Sequence, residues 1–387
     1  MESTEITIKR NQTSRGSMSA PLLRAPPGLD GVIVTTTSIS KIDGGAGKLI
    51  FRGYDISDLA GKVPFEAIAH LLWKGRLPTA QELDSFTKKM AEKRYVSNKV
   101  MAFIAGAPKE ANPLTVLRTA VSIAGMQSDE NLPVLESAMV LTAQFPTILA
   151  LFHNARRGRS VVLPRGDLGH AANYLYMLSG FPPKEKSAKA LDAYFTLLTD
   201  HGLNASTFAA RVATSTLTDV YSSVIAAICT LKGPLHGGAP SQVWDMLQSI
   251  GDPNAATNWI SDRLAKKERI MGFGHRIYRT EDPRSRILRD LAKENADQKT
   301  FALAQKVEIE SKRQLHEAHP ERALDTNVEF YSSLVLNAVG ISKDLFTSTF
   351  ASSRVVGWTA HIMEQLSANR LIRPSVEYVG PDGLTPN

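Results

Sequence analysis

The chain has 387 residues, more than one hydrophobic core usually serves, so we expect two domains. Hydrophobic residues make up 43% and charged residues 21%, which excludes the disordered and coiled-coil classes. The net charge of +7 comes from basic residues scattered among acidic ones. We therefore expect no nucleic-acid partner and no membrane surface, although short basic runs could meet a small polyanion.

Three features of the sequence bear on the cellular compartment of the protein. Cys229 lies in an apolar run, which predicts a buried thiol in a reducing environment. Residues 1–22 are polar and lack the apolar stretch of a signal peptide. The most apolar long segment, Val140–Phe152, is too short to span a bilayer and predicts a buried core helix. A cytoplasmic protein is the expectation.

The N-terminal part predicts a short β-hairpin. Residues 31–40 are rich in β-branched side chains and predict a strand, and Lys48–Phe51 predicts a second one after a glycine-rich turn. That turn ends in Gly47-Lys48 but lacks the other residues of a phosphate-binding loop. We interpret it as a hairpin turn.

Beyond residue 60 the helical period of apolar residues dominates, which predicts an all-α architecture. Small residues crowd the segment 205–231, which predicts one long helix of about 40 Å at a helix or dimer interface. The first predicted helix begins at Pro64. Further helices are predicted over 80–94, 113–125, 135–156, 169–178, 188–201, 205–231, 284–294, 301–318, 327–339 and 350–368.

Histidines stand in three loops between predicted helices. His236 is followed by two glycines and His275 follows Gly272 and Gly274, glycines that let a backbone approach a ligand closely. His201 stands between two helices, and by itself such a histidine is more often structural than functional. A purely structural turn at 233–239 would need the glycines but not the histidine, so we favour a functional role for His236.

Two charged residues stand at predicted helix starts. Asp282 is a good N-cap and Pro283 a good first residue, which puts Arg284 in a first turn where a cation is disfavoured unless it faces an anion. The alternative is that Arg284 points to solvent. Asp325 precedes an apolar helix, and taken alone it is better explained as an N-cap than as a catalytic base.

The order of these residues resembles that of the citrate synthase family. The segments GPLHGGA (233–239), GFGHRIYRTEDPR (272–284) and DTNVEFYSSLVL (325–336) are similar to the central motifs of that family, and the resemblance runs from about residue 28 to 380. It implies a large helical domain and a smaller helical domain with the active site in the cleft between them. The expected divisions are a flexible tail at 1–27, a large domain at 28–235 and 341–387, and a small domain at 236–340.

The resemblance implies condensation of acetyl-CoA with oxaloacetate, followed by hydrolysis to citrate and CoA. Asp325 would be the catalytic base, His236 the donor to the thioester oxygen, and His275 the group that polarises the oxaloacetate carbonyl. The base role requires surroundings apolar enough to raise the pKa of a carboxylate. Oxaloacetate would be bound by His201, Arg284, Arg354 and Arg373.

Further expectations concern CoA and the oligomer. CoA, as acetyl-CoA, would be a co-substrate, with no tightly bound cofactor and no metal. Its contacts would be Leu235, Ile270, Gly272, Phe273 and Gly274, with Lys266, Lys267 or Arg279 near the phosphates. Arg373 would reach into the site of a neighbouring subunit, so we expect a homodimer, and one that does not respond to NADH.

Two alternatives stay open. 2-Methylcitrate synthases share these residues and use propionyl-CoA, and one methylene supports only ~1–3 kcal/mol of discrimination. Relatives often have Ala-Asn-Glu where this chain has Ala239-Pro240-Ser241, which leaves the acyl group undecided. A non-catalytic homologue or a basic binding module is the other alternative.

Overall fold

The computed structural model describes residues 24–129 and 131–385, and most of that chain is helical. This confirms the predicted all-α class. The helices are α1 Ile56–Leu59, α2 Phe65–Lys74, α3 Ala80–Glu92, α4 Asn98–Gly106, α5 Pro113–Gly125, α6 Val134–Ala155, α7 His170–Ser179, α8 Glu185–Leu198, α9 Ala205–Ser215, α10 Val220–Leu231, α11 Ala239–Ile250, α12 Ala256–Ala265, α13 Pro283–Asn295, α14 Gln298–Ala318, α15 Val328–Ala338 and α16 Phe346–Ser367.

By internal contacts the chain divides between Thr36 and Thr37. The described part of the first unit holds a single helical turn, Pro27–Leu29, and irregular backbone in which Ile33 is exposed. Residues 1–23 of the predicted tail lie outside the described residues. Every element discussed below belongs to the second unit, and the expected division at 235/236 and 340/341 stays a prediction.

A three-stranded antiparallel sheet is the β-structure of this unit, in the order β1 (Ser40–Asp43), β2 (Lys48–Phe51), β3 (Tyr54–Asp55). The predicted second strand and the hairpin are confirmed. The predicted strand at 31–40 is wrong except for its last residue. β-Branched residues favour strands where a pleated surface can pack on a neighbour, and residues 32–38 have no paired strand in the described chain.

Helices α6 and α16 are the longest in the described chain, with 22 residues each, and most residues of both are buried. Helix α6 extends well beyond the predicted apolar segment, so the expectation that this segment is too short to span a bilayer was wrong. It is the one helix in the described chain that is long and apolar enough to cross a membrane. However, 72% of its most apolar stretch is buried inside the protein, as in a core helix.

The predicted single helix over 205–231 is two helices. Helix α9 ends at Ser215, and Leu217 takes a left-handed conformation with φ of 65°. Asp219 then caps α10, because its carboxylate accepts a hydrogen bond from the Ser222 amide at 2.8 Å. The two helices pack against each other, so the idea of one 40 Å interface helix is wrong.

Helix α10 also corrects the prediction for Cys229. Val224, Ala227, Ile228 and Leu231 occupy its buried face, whereas Cys229 lies on the opposite face and is exposed. An apolar run does not by itself reveal which side of a helix faces the core, because all of its residues are apolar and no polar face marks the solvent side.

Candidate active site

The segments that carry His275 and Asp325 lie side by side. Phe273 and Thr326 form an isolated antiparallel β-bridge, and the Gly274 amide donates to the Asp325 carbonyl at 2.8 Å. The two segments are about fifty residues apart in sequence, with α13 and α14 between them. This bridge brings two of the three predicted catalytic residues together.

The glycines of this loop are required by its geometry. Gly272 and Gly274 have φ of 88° and 81°, a left-handed region that favours glycine. A Cβ on Gly272 would stand 2.7 Å from the Phe330 ring. The Asn327 side chain donates to the Gly274 carbonyl at 3.0 Å and secures the turn. The glycines therefore permit close backbone pairing.

Hydrogen bonds fix the proton of the His275 ring. Nδ1 of His275 accepts from the backbone amides of Ile277 and Tyr278, both at 3.0 Å. The pKa of His275 is lowered to about 4, first by burial and then by repulsion from Arg284. At neutral pH the ring is uncharged with its proton on Nε2, so His275 can donate one hydrogen bond.

His201 and Tyr278 complete an aromatic cluster with His275. Nε2 of His201 lies 3.2 Å from the Tyr278 hydroxyl, and the His275 ring centroid lies 5.3 Å from that of His201 and 4.7 Å from that of Tyr278. Burial, with Arg284 and His275 adding repulsion, holds the pKa of His201 well below its usual value. Tyr278 was missed as a site residue. No local sequence pattern points to it, because its contact with His201 joins positions 77 residues apart.

His236 is anchored from two other elements. Its Nε2 lies 2.9 Å from the Ser206 hydroxyl of α9, which also accepts from the Trp358 indole of α16 at 3.1 Å. Burial, and then repulsion from Arg354, lowers the pKa of His236 to about 4. The ring is neutral and half-buried, and it is held by α9 and α16.

Arg284 is buried at the start of α13, as predicted, with Asp282 as N-cap and Pro283 as first residue. Its Nε and Nη2 donate to the two oxygens of the Asp282 carboxylate at 2.9 and 2.6 Å. Burial opposes its charge, but the Asp282 pair outweighs burial and raises the pKa of Arg284. A permanent cation is thus held in the interior, not pointed to solvent.

A second buried arginine lies close to the first. Nε of Arg354 donates to the Leu198 carbonyl at 2.7 Å, and its guanidinium lies over the Phe350 ring at 4.6 Å. Burial, together with repulsion from Arg284, lowers the pKa of Arg354 to about 10, so it stays cationic at neutral pH. Two buried cations that repel each other form a site suited to an anion.

Asp325 is not a helix cap. Asn327 caps α15 by accepting from the Glu329 amide, which overturns the N-cap interpretation of Asp325. The Asp325 side chain is 39% exposed, and Lys312 of α14 lies 3.4 Å from its carboxylate. The carboxylate is therefore accessible to a ligand, and its surroundings are polar, not the apolar ones expected for it from the sequence.

Other carboxylates support this region. Glu308 of α14 accepts from the Thr326 and Tyr331 hydroxyls, each at 2.6 Å, which ties α14 to the chain beside Asp325. Burial raises the pKa of Glu329, and attraction to Arg284 and Arg354 opposes that effect. Glu329 was missed because a glutamate in the first turn of a helix is ordinary.

The structure does not bring the remaining predicted residues into this cluster. Leu235 is 95% exposed and Arg373 is exposed in the segment after α16, whereas Ile270 is buried. The exposed residues Lys266, Lys267 and Arg279 lie on the chain that flanks 270–274. Within the described residues, no group of three or more His, Cys, Asp or Glu side chains is arranged to hold a metal ion.

Comparison with known proteins gives a consistent picture. The family model described as citrate synthase, C-terminal domain, matches residues 28–375. The chain is 42% identical to a citrate synthase of Haloferax volcanii over 382 residues, covering 95% of this chain and 98% of the relative. It is 39% identical to a 2-methylcitrate synthase of Mycobacterium tuberculosis over 386 residues, covering 97% and 96%. Most of the similar relatives are named citrate synthase.

A solved structure supports the same assignment. The citrate synthase of Thermoplasma acidophilum, in a ternary complex with carboxymethyl coenzyme A and oxaloacetate, superposes with a TM-score of 0.86 at 30% identity, covering 92% of this chain and 97% of that one. The match extends over both the helical fold and nearly the whole length. The chain belongs to the citrate synthase family, whose members are condensing enzymes.

Proposed function

We propose that the protein condenses acetyl-CoA with oxaloacetate and hydrolyses the product thioester to citrate and CoA. The observation that carries this proposal is the backbone pairing of the segments that hold His275 and Asp325, beside two buried arginines, Arg284 and Arg354, whose charges act on His201. That arrangement provides a carboxylate, a neutral hydrogen-bond donor and two cations for a dicarboxylate. The family membership supports the same reaction.

The first step is removal of a proton from the methyl carbon of acetyl-CoA. Asp325 accepts this proton, and the electron pair of the broken C–H bond moves toward the thioester oxygen. His236 donates a hydrogen bond to that oxygen and stabilises the developing charge. A donor role through Nδ1 requires that Nε2 accept a hydrogen bond from Ser206, so the hydroxyl proton must turn from Oδ1 of Asn204, 2.8 Å away, to Nε2 at 2.9 Å.

The enol carbon then forms a bond with the carbonyl carbon of oxaloacetate. The Nε2–H of His275 donates a hydrogen bond to the carbonyl oxygen, which takes up the electron pair and, with a proton taken from water, becomes the hydroxyl of the product. Because the ring is neutral at neutral pH, it donates a hydrogen bond without adding a full charge. Water then cleaves the thioester and releases CoA.

Oxaloacetate is held by charge. Arg284 and Arg354 bind its carboxylates, and His201 with Tyr278 adds hydrogen bonds. Since Asp282 already accepts from Nε and from one N–H of Nη2 of Arg284, the two N–H groups of Nη1 and the second one of Nη2 are left for the substrate. Arg373 of a second subunit completes the pocket, so we propose a homodimer.

The CoA moiety lies along the loop 270–274 and Leu235, with Lys266, Lys267 and Arg279 near its phosphates. The high exposure of Leu235 (95%) agrees with a role in contacting a ligand. Closure of residues 236–340 over residues 28–235 and 341–387 would exclude water during proton removal. We propose a cytoplasmic enzyme in which no cofactor is tightly bound.

The test measures CoA thiol release from acetyl-CoA with and without oxaloacetate. Asp325→Asn removes the base and should lower kcat by about 10² to 10⁴-fold, and His275→Gln should have a comparable effect. His319→Gln, which changes a half-exposed side chain outside the proposed site, is the control. Oxaloacetate-dependent release that survives both substitutions would contradict the mechanism.

A second acyl donor is supported by the 39% identity to a 2-methylcitrate synthase over 97% of the chain. Comparison of kcat/KM for acetyl-CoA and propionyl-CoA decides between the two. We expect acetyl-CoA to be preferred by about 10-fold or more, within the range that one methylene allows. A ratio in favour of propionyl-CoA would reassign the substrate but not the mechanism.

A further inference from the structure

A chain of polar side chains runs through the interior behind the candidate site. His361 of α16 lies with its Nε2 3.3 Å from Oδ1 of Asp200, and Nε of Arg211 in α9 donates to Nδ1 of His361 at 3.0 Å. Arg211 also pairs with Glu364. Asp200 and His361 are completely buried, and neither Oδ1 of Asp200 nor Nε2 of His361 has a hydrogen bond of normal geometry among the described residues, so the 3.3 Å approach is a close polar contact between them.

The hydrogen bonds give this chain a direction. A ring nitrogen that accepts from an arginine carries no proton, so the proton of His361 is on Nε2, the ring nitrogen that lies beside Asp200. The other carboxylate oxygen of Asp200 accepts from the Gly202 amide at 3.0 Å and from the Ser40 hydroxyl of β1. Asp200 is therefore held from α16, from the sheet and from its own turn.

Helix α16 lies directly against the turn that follows α8. Arg354 donates to the Leu198 carbonyl at 2.7 Å. A Cβ on Gly357 would stand 2.3 Å from the Thr199 carbonyl oxygen, so only glycine permits this approach. Arg354 and His361 are seven residues apart, two helical turns along the same face. The contact between α16 and this turn therefore runs from Arg354 at one end to the Asp200–His361 pair at the other.

A buried ionic chain is a poor means of stabilising a core, because the cost of desolvation commonly exceeds the Coulomb gain. Its presence next to His201 therefore suggests a purpose other than stability. The turn carries His201 and the helix carries Arg354, two of the groups assigned above to oxaloacetate. Their relative position is set by the contacts at 198–200.

We propose that Asp200 and His361 are positioning residues for oxaloacetate, because they lock the turn that carries His201 to the helix that carries Arg354. The proposal rests on the proposed function. It predicts that loss of the Asp200–His361 contact moves His201 and Arg354 relative to each other, although both residues are still present. The defect should then appear in oxaloacetate affinity more than in the chemical step.

The test compares His361→Leu, which cannot bond to Asp200, with His361→Gln, whose amide can donate to Asp200 and accept from Arg211. The control is His70→Leu, which removes an equally buried histidine whose Nδ1 donates to the Arg76 carbonyl at 3.0 Å, away from this turn. The dissociation constant of oxaloacetate is measured by calorimetry without CoA, together with kcat, KM and the melting temperature.

We expect His361→Leu to weaken oxaloacetate binding by about 10- to 100-fold, as misplacement of a binding group does, with a smaller change in kcat at saturation. His361→Gln should recover most of that affinity. Ser40→Ala, which removes one support of Asp200 and keeps the core intact, should weaken binding by a few-fold. It provides a second reading if His361→Leu does not fold.

The outcomes separate the two proposals. If the unmodified protein neither binds oxaloacetate nor forms citrate, the proposed function is wrong. If the unmodified protein binds oxaloacetate but His361→Leu and Ser40→Ala bind it as well as His70→Leu does, Asp200 and His361 are structural only. Equal losses in His361→Gln and His361→Leu would also overturn the positioning role.

Discussion

Burial controls the charge of the histidines in and around the candidate site. The pKa of His236 and of His275 is lowered to about 4, and that of His170 in α7 to about 3, with burial the largest cause in each case. These rings are neutral at pH 7. A neutral ring donates or accepts one hydrogen bond at a defined nitrogen, which is what an enolisation site requires.

The same shifts make the stability of the protein dependent on pH. Histidines of the unfolded chain bind protons as the pH falls through about 6.5, whereas these buried ones do so only near 3 to 4. The unfolded state therefore gains stability between pH 6.5 and 4, and the free energy of unfolding falls over that window. Urea midpoints at pH 7.5 and pH 5 measure the change.

His170→Gln should show a smaller loss of stability on acidification than the parent, because glutamine does not titrate. His319→Gln, at a surface position, is the control and should follow the parent. If His170→Gln loses as much stability between pH 7.5 and pH 5 as the parent does, burial of that histidine is not a source of the acid sensitivity.

Single residues also show how far the sequence could predict the site. The caps Asn204 and Asp282 could be recognised, because capping depends on residues close in sequence. The cap at Asn327 could not be separated from Asp325, since both are capping residues two positions apart. Tyr278 depends on a contact with His201, 77 residues away, which no local pattern reveals.

At the scale of elements, the glycine-rich hairpin turn supports the loop that carries His275. Arg279 donates its amide to the Gly44 carbonyl at 2.9 Å. A Cβ on Gly44 would stand 2.3 Å from the Ile277 carbonyl oxygen, whereas a Cβ on Gly45 meets only the Asp43 carboxylate at 3.7 Å. The glycine-rich hairpin turn, which superficially resembled a phosphate-binding loop, therefore supports the loop that carries His275 through direct backbone contacts.

Gly44→Ala should therefore displace the loop 275–281 and disturb the amides that orient His275. We expect kcat/KM to fall by about 10-fold or more and the free energy of unfolding to fall by about 1–3 kcal/mol, as overpacking does. Gly45→Ala is the matched control and should be near neutral. Equal behaviour of the two variants in steady-state kinetics and urea unfolding would refute the proposal that Gly44 supports this loop.

The break between α9 and α10 leaves Leu217 in a strained conformation. Its φ is 65° and its side chain is 70% exposed, so it has little packing to lose. Leu217→Gly should raise the free energy of unfolding by about 0.5–1 kcal/mol, since left-handed backbone costs leucine roughly 1–2 kcal/mol and the larger backbone entropy that glycine loses on folding offsets part of that gain. Leu203→Gly, in a loop with ordinary φ, should destabilise. Thermal melts of both variants check this.

Most long helices were predictable and several short elements were not. Helix α2 has the apolar period of a buried face, and its boundaries follow from Pro64 and Gly75. Helices α4, α11 and α12, of 9 to 12 residues, were missed. The break between α9 and α10 at 216–219 has one local sign in the sequence, which is Asp219, the N-cap of α10.

At the scale of the whole molecule, the shared site of the proposed dimer can be tested by mixing two inactive variants. Asp325→Asn lacks the base and Arg373→Ala lacks the group supplied to the partner. In a mixed dimer, one site receives both intact residues. A refolded equimolar mixture should recover about a quarter of the parent activity, as random pairing predicts.

Each variant refolded alone is the control and should stay inactive. Sedimentation should show dimers in every sample, and NADH should not change the activity. A mixture no more active than its components would argue that each site is built from one chain.

The bridge between Phe273 and Thr326 has a consequence for cleavage of the backbone. It clamps both ends of a closed loop that contains α13 and α14, and the exposed stretch 320–323 is the accessible part of that loop next to Asp325. A protease that cut there would leave two fragments still joined by the bridge and by the Glu308 contacts. We expect such a nicked protein to remain folded as a non-covalent complex, so that in this protein an intact peptide chain and an intact active site are separable properties.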